Sequence, residues 1–110
     1  MEHEVKVKRW KGKFHTAEYM TWPQMTKWER AVDAARELGD KANTSDFYGT
    51  LLPTALEIIT KTEIKGLPEH LTLETFPSSA MLCVAVVEAI TSLYQLTNQD
   101  EELPKAPEPS

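Results

Sequence analysis

The residues here whose types suit catalysis or metal binding are three histidines, one cysteine and a few grouped carboxylates. His3, His15 and His70 fall on an N-terminal arm, a strand-like stretch and a connector. No two stand at a metal-ligand spacing, so they read as surface histidines. Cys83 sits inside an apolar stretch. A nucleophilic thiol needs exposure and a basic neighbour, so Cys83 reads as a small core residue. Glu88 interrupts the same stretch, and carboxylates are so seldom fully buried that a solvent-facing position is expected. Glu29, Asp33 and Glu37 repeat every four residues along one helix face. Such a row can gather a cation or an arginine-rich partner, but with Arg30 and Arg36 beside it a solvated face is the simpler reading. Gly12, Gly39, Gly49 and Gly66 are too widely spaced for a phosphate-cradling loop. The expectation is a non-enzymatic protein with no catalytic residue, no metal and no cofactor.

Binding chemistry is better represented. Lys6, Lys8, Arg9, Lys11 and Lys13 interleave with Trp10 and Phe14, a combination that can hold single-stranded nucleic acid. A lysine-studded strand that discourages edge-to-edge aggregation explains the cations equally well. The net charge of −5 argues against nucleic acid as the main partner. Tryptophan is over-represented among interface anchors. Trp10, Phe14, Trp22, Trp28 and Tyr94 are therefore the candidate protein-binding residues.

The elements that must position these residues follow from periodicity. Thr21 to Gly39 reads as one complete helix, 22–38. Thr21 caps it, Gln24 closes a capping box, and Pro23 suits the first turn. Met25, Trp28, Val32 and Ala35 share a face that Ala31 and Leu38 widen. Gly39 is the natural stop. Before it, residues 4–19 read as a β-hairpin. Val5 and Val7 alternate with Lys6 and Lys8, Trp10 to Lys13 supplies the turn, and the return strand runs from Lys13 to about Tyr19. An isolated hairpin is marginal in water, so it must pack on a helix, add strands or pair with another chain.

After the polar link Asp40–Ser45, a helical region covers about 46–62, with Thr44 or Ser45 as cap. Pro53 is expected to break it near Gly49–Thr50, leaving a short first turn and then a helix from about Leu51 to Thr62. Leu52, Ala55, Leu56 and Ile59 form its buried stripe. Gly66 reads as its C-cap glycine, with Pro68 following. Thr72 can cap one turn, and several of Leu67, Leu71, Leu73 and Phe76 should cover the core. The last helix, about 78–96, is apolar on most sides, as befits a central helix or one buried in an oligomer. Residues 97–110 are acidic and proline-rich and are expected to be a disordered tail. The fold class is α+β, mainly α: an N-terminal hairpin followed by three to four helices in a single domain, 1–96.

A hydrophobic content of 41% and a charged content of 26% belong to an ordinary soluble domain. A single cysteine permits no intrachain disulfide and fits a reducing compartment. The N-terminus has no apolar leader. The longest apolar run, Ala80 to Val87, is far shorter than the ~20 residues that span a bilayer. A cytoplasmic protein without a membrane partner is expected.

The order of features carries a resemblance. The basic hairpin precedes Met20-Thr21-Trp22-Pro23-Gln24 and Trp28-Glu29-Arg30-Ala31. Leu52-Pro53, Ile58-Ile59, Lys65-Gly66-Leu67-Pro68 and Thr75-Phe76-Pro77 follow, before a closing helix. Across residues 5–96 this resembles small proteins of tailed bacteriophages and prophages, of the tail assembly chaperone type. The resemblance implies a non-enzymatic viral protein in the cytoplasm of the bacterial host. It would bind the helical tape-measure protein and shield its apolar surface until tail-tube subunits polymerise, with homo-oligomers in keeping. The alternatives are a small phage nucleic-acid-binding regulator using the basic hairpin and a structural tail or adaptor subunit.

Overall fold

The computed structural model describes residues 1–99, with the side chains of 1–98. Its sheet is antiparallel and three-stranded, in the order β1 (Glu2–Lys6), β2 (Lys11–His15) and β3 (Lys61–Ile64). Three helices accompany it: α1 (Trp22–Glu37), α2 (Thr44–Ile58) and α3 (Ala80–Gln99). The architecture is α+β and mainly α, as composition and periodicity indicate.

The hairpin is displaced from its predicted frame. Lys6 pairs with Lys11, so the turn is made by Lys8 and Arg9, and the Val7 amide donates to the Trp10 carbonyl at 3.1 Å. Gly12 therefore lies within β2 and not in the turn. It is needed there for close approach: a β-carbon at Gly12 would strike the Glu63 carbonyl oxygen and lie 2.8 Å from the Ile64 Cα. The return strand ends at His15, short of the expected Tyr19.

The neighbour that crowds Gly12 is β3, which replaces the expected end of the second helix. In Lys61–Ile64, Thr62 and Ile64 are buried while Lys61 and Glu63 are exposed, the period-two signature of a strand with one dry face. The hairpin thus gains a third strand, and α3 lies against β1. Gly66 closes the turn after β3 and caps no helix. Its φ of +90° suits the third position of a turn in which the Leu67 amide donates to the Ile64 carbonyl at 3.0 Å.

The capping box of α1 forms as expected, with Thr21 and Gln24 exchanging hydrogen bonds. Leu38 is exposed and does not extend the buried stripe; a 3-10 turn over Gly39–Lys41 follows it. In α2 the cap is Asn43, in a reciprocal box with Asp46. Pro53 does not break α2. The residues flanking it, Leu51, Leu52, Ala55 and Leu56, are buried, whereas Pro53 and Gly49 are both exposed. Gly49, whose carbonyl loses its helical donor at Pro53, is thus on the solvent side of the helix. Packing on the opposite side outweighs the roughly 3 kcal/mol cost of an internal proline.

The Thr72 turn forms, with Thr72 and Thr75 bonded reciprocally. Leu71 is buried and Leu67 and Phe76 pack against the core, but Leu73 is exposed. Ser79 caps α3 by accepting from the Leu82 amide at 3.2 Å. The helix runs past the expected end at Leu96, so Thr97–Gln99 are helical and not part of a tail; 100–110 lie outside the described residues.

One hydrophobic cluster joins all these elements. Val5 and Phe14 come from the hairpin, Trp28 and Ala35 from α1, Leu51 and Ala55 from α2, Ile64 from β3, and Leu82, Val86, Ile90 and Leu93 from α3. By length and composition, Ala80–Asn98 is apolar enough to cross a membrane, beyond what the run Ala80–Val87 suggested. In the fold this helix instead supplies core side chains, with Glu88 exposed near its middle.

Candidate functional site

α2 packs against both α1 and α3. α1 and α3 meet where the Tyr94 hydroxyl donates to Glu29 Oε2 at 2.7 Å. Beside that contact an open groove of about 590 Å³ remains. α1 contributes Trp28, Val32 and Arg36, and α2 contributes Phe47, Tyr48 and Leu51. α3 completes it with Val87, Glu88, Thr91, Ser92, Tyr94 and Gln95. The sequence explains this shape. Trp28 and Val32 stand four apart on α1, and Val87, Thr91 and Tyr94 recur at steps of four and three on α3, so each helix turns one row toward the gap. Phe47 and Tyr48 meet edge-on, with ring centres 5.4 Å apart. Both are only half-buried.

The groove is apolar at its floor, where Trp28, Leu51 and Val87 are buried, and charged at its rim, where Arg36 and Glu88 are exposed. Tyr94 ionises above the usual phenol range, chiefly because its hydroxyl donates to Glu29. It is therefore a neutral donor near neutral pH.

The five candidate protein-binding residues separate in space. Trp28 and Phe14 are each 1% exposed and belong to the core, so neither side chain presents itself to a partner. Trp28 still forms part of the groove floor. Tyr94 is half-buried on the groove wall. Trp22 is 73% exposed at the start of α1 and is not among the groove residues. Trp10 is half-buried against the core, with the Arg9 guanidinium over its ring at 5.4 Å. Phe47, Tyr48 and Val32 were missed as site residues. The signal was present, since aromatic residues early in α2 cannot all face its buried stripe, but only the placement of α1 and α3 gives them a common cavity.

The outer face of the sheet is the second site-like region. Cross-strand register arranges it in rows. One row is Glu2, His15 and Lys61, the next Glu4, Lys13 and Glu63. In these two rows opposite charges meet: Lys13 reaches Glu2 at 3.0 Å, and Glu63 receives His15 at 2.6 Å and Lys61 at 3.6 Å. The hydrogen bond from His15 holds the Glu63 carboxyl below the usual range, and Lys13 does the same for Glu2. The lysines, Trp10 and Phe14, whose combination could hold a single strand, do not share one face. Phe14 is on the buried face, stacked on His3 at 4.9 Å, and Trp10 packs beside Gly66.

The other chemistry-bearing residues stay apart. Cys83 is buried, and burial pushes its thiol up, away from nucleophilic character. His3 bonds the Thr16 hydroxyl at 2.8 Å, and burial lowers its pKa. His70 is exposed on the connector. Among the described residues, no group of three or more His, Cys, Asp or Glu side chains is placed to hold a metal ion. No protein-family model, no curated protein and no solved structure matches this chain.

Proposed function

We propose that this protein is a non-enzymatic assembly factor of the tail assembly chaperone type from a tailed bacteriophage or prophage. In this reading it holds an amphipathic helical segment of the tape-measure protein in the groove between α1, α2 and α3. One observation carries the proposal: a groove of about 590 Å³ with an apolar floor and a rim bearing Arg36 and Glu88. A helix is about 10–12 Å across with its side chains and presents one apolar stripe. Laid in such a groove, that stripe meets the half-buried Val32, Phe47, Tyr48 and Tyr94 above a floor closed by Trp28, Leu51 and Val87, while its flanking charges meet the rim. Shielding needs no catalytic group, only apolar surface offered and later withdrawn. The cytoplasm of the bacterial host is the compartment this role requires.

Co-expression with a tape-measure protein tests the reading. Its soluble fraction should rise in the presence of this chain and fall back with Ser92→Trp, which fills the groove from an exposed position. Unchanged tape-measure solubility with the wild-type chain would overturn the proposal.

A further inference from the structure

We propose that the lysine-rich end of the sheet docks the acidic segment Asp100–Glu102 of a second copy of this chain. Lys6 and Lys11 are direct cross-strand partners. Lys65 follows Ile64, which pairs with Gly12, and so stands abreast of Lys11. Three lysines thus continue the row pattern of the outer face, with neighbouring strands about 4.8 Å apart. Lys8 and Arg9 extend the patch at the turn. Like charges directly opposite one another destabilise a sheet, so the row has a cost that its own strands do not offset. Of the five cations of this patch, Lys6 alone has an acidic partner among the described residues, Glu4 at 3.7 Å; Lys8, Arg9, Lys11 and Lys65 have none there.

The patch is short. Glu4 and Glu63 occupy the next row, so a long polyanion lying along the face would meet repulsion there and from a chain of net charge −5. Trp10, the aromatic residue beside Lys11, is half-buried against the core with the Arg9 guanidinium over its ring at 5.4 Å, which leaves little face for stacking nucleobases. The exposed large apolar residues, such as Trp22, Leu73 and Met81, lie on other elements, which disfavours a lipid surface. A run of about three carboxylates is the matching size, and the chain carries one, Asp100-Glu101-Glu102.

This contact is between copies. The Met20 amide donates to Thr97 Oγ1 at 3.2 Å, and Thr16, four residues earlier, bonds the N-terminus, so the end of α3 is tied to the segment that leaves β2 at the end of the sheet opposite the lysine row. The lysine row lies one length of β1 away, about 17 Å for five residues. At full stretch the backbone carries Asp100 only about 3.5 Å and Glu102 about 10 Å beyond Gln99, so the three carboxylates cannot all meet the lysine row of their own chain. A reciprocal exchange closes as a dimer; a head-to-tail contact that does not close leaves one tip and one acidic segment unused and propagates.

Sedimentation and light scattering of the full-length chain test this at about 0.01 M and about 1 M salt, where the Debye length falls from about 30 to about 3 Å. The average mass should rise with concentration to at least that of a dimer at low salt, and return to the monomer at high salt. The Asp100→Asn/Glu101→Gln/Glu102→Gln chain and the Lys11→Glu/Lys65→Glu chain should each stay monomeric. Mixing the latter with an Asp100→Lys/Glu101→Lys/Glu102→Lys chain should restore association. A wild-type mass independent of salt, or association that survives both sets of changes, would overturn the proposal. So would Lys11- and Lys65-dependent binding of a single-stranded oligonucleotide or an anionic vesicle unaccompanied by self-association. None of these outcomes depends on the groove.

Discussion

The core beneath the sheet and the groove between the helices draw on the same kinds of side chain and end in different states. On the inner face of the sheet, Val5, Phe14 and Ile64 are all within 3% of complete burial. Beside the groove, Val32, Phe47, Tyr48 and Tyr94 stop half-covered. The first region is finished by intrachain packing, which removes water from every apolar atom it can reach. The second stays open on one side. Apolar area contributes about 25 cal/mol per Å² when removed from water, and the uncovered part of the groove has not realised that contribution within the chain.

The largest break in this contrast comes from Trp28, which serves both regions. Trp28→Ala should lower stability by about 3–5 kcal/mol, measured by urea unfolding. A midpoint matching wild type would mean that the core does not depend on this ring. Gly12→Ala strikes the sheet alone. Its β-carbon would meet the Glu63 carbonyl, and a loss of about 1–3 kcal/mol is expected from the forced shift of β3. The same measurement on Ser92→Trp should stay within about 0.5 kcal/mol of wild type, since its site is exposed, while partner shielding is lost. That pairing separates groove from core.

Acidification sharpens the contrast from the sheet side. Burial depresses the His3 pKa from its usual 6.5, with the N-terminal ammonium adding to the effect. The unfolded chain therefore takes up this proton first as pH falls, and stability declines from about pH 6.5 downward. Glu63 and Glu2, whose pKa values are lowered by His15 and Lys13, contribute stability above the usual carboxylate value of 4.5 and lose it below. Urea midpoints across this range should fall in two steps, and His3→Gln should remove the upper one. The smallest effect is a gain: Lys11→Gln relieves like-charge opposition with Lys6 and should stabilise the sheet by about 0.2–1 kcal/mol. A loss instead would mean that the lysine row helps to hold the strands together.

Where local chemistry dominates, the sequence was legible. Thr21 with Gln24, Gly39 after α1 and the threonine turn at 72–75 each need only neighbours within a few residues. The errors came where distant segments decide. Lys61–Ile64 has strand alternation, but the helical pattern before it runs on without a break, and only the unsatisfied edge of β2 selects the strand. Pro53 argued locally for a break, and burial on both sides of it prevailed. Of the candidate binding residues, aromatic type alone could not separate Trp28 and Phe14, which are buried, from Trp22, which is exposed.

By itself, the sequence determined the α+β class, the positions of the first and last helices, a hairpin in need of support and the apolar character of the last helix, because periodicity and capping are local properties of the chain; that the second helical region is one helix through Pro53 was not among them. Only the tertiary structure decided the third strand, the alignment of Lys6, Lys11 and Lys65, and the groove. Each of those joins residues far apart in the chain, and their proximity is set by which surfaces exclude water together.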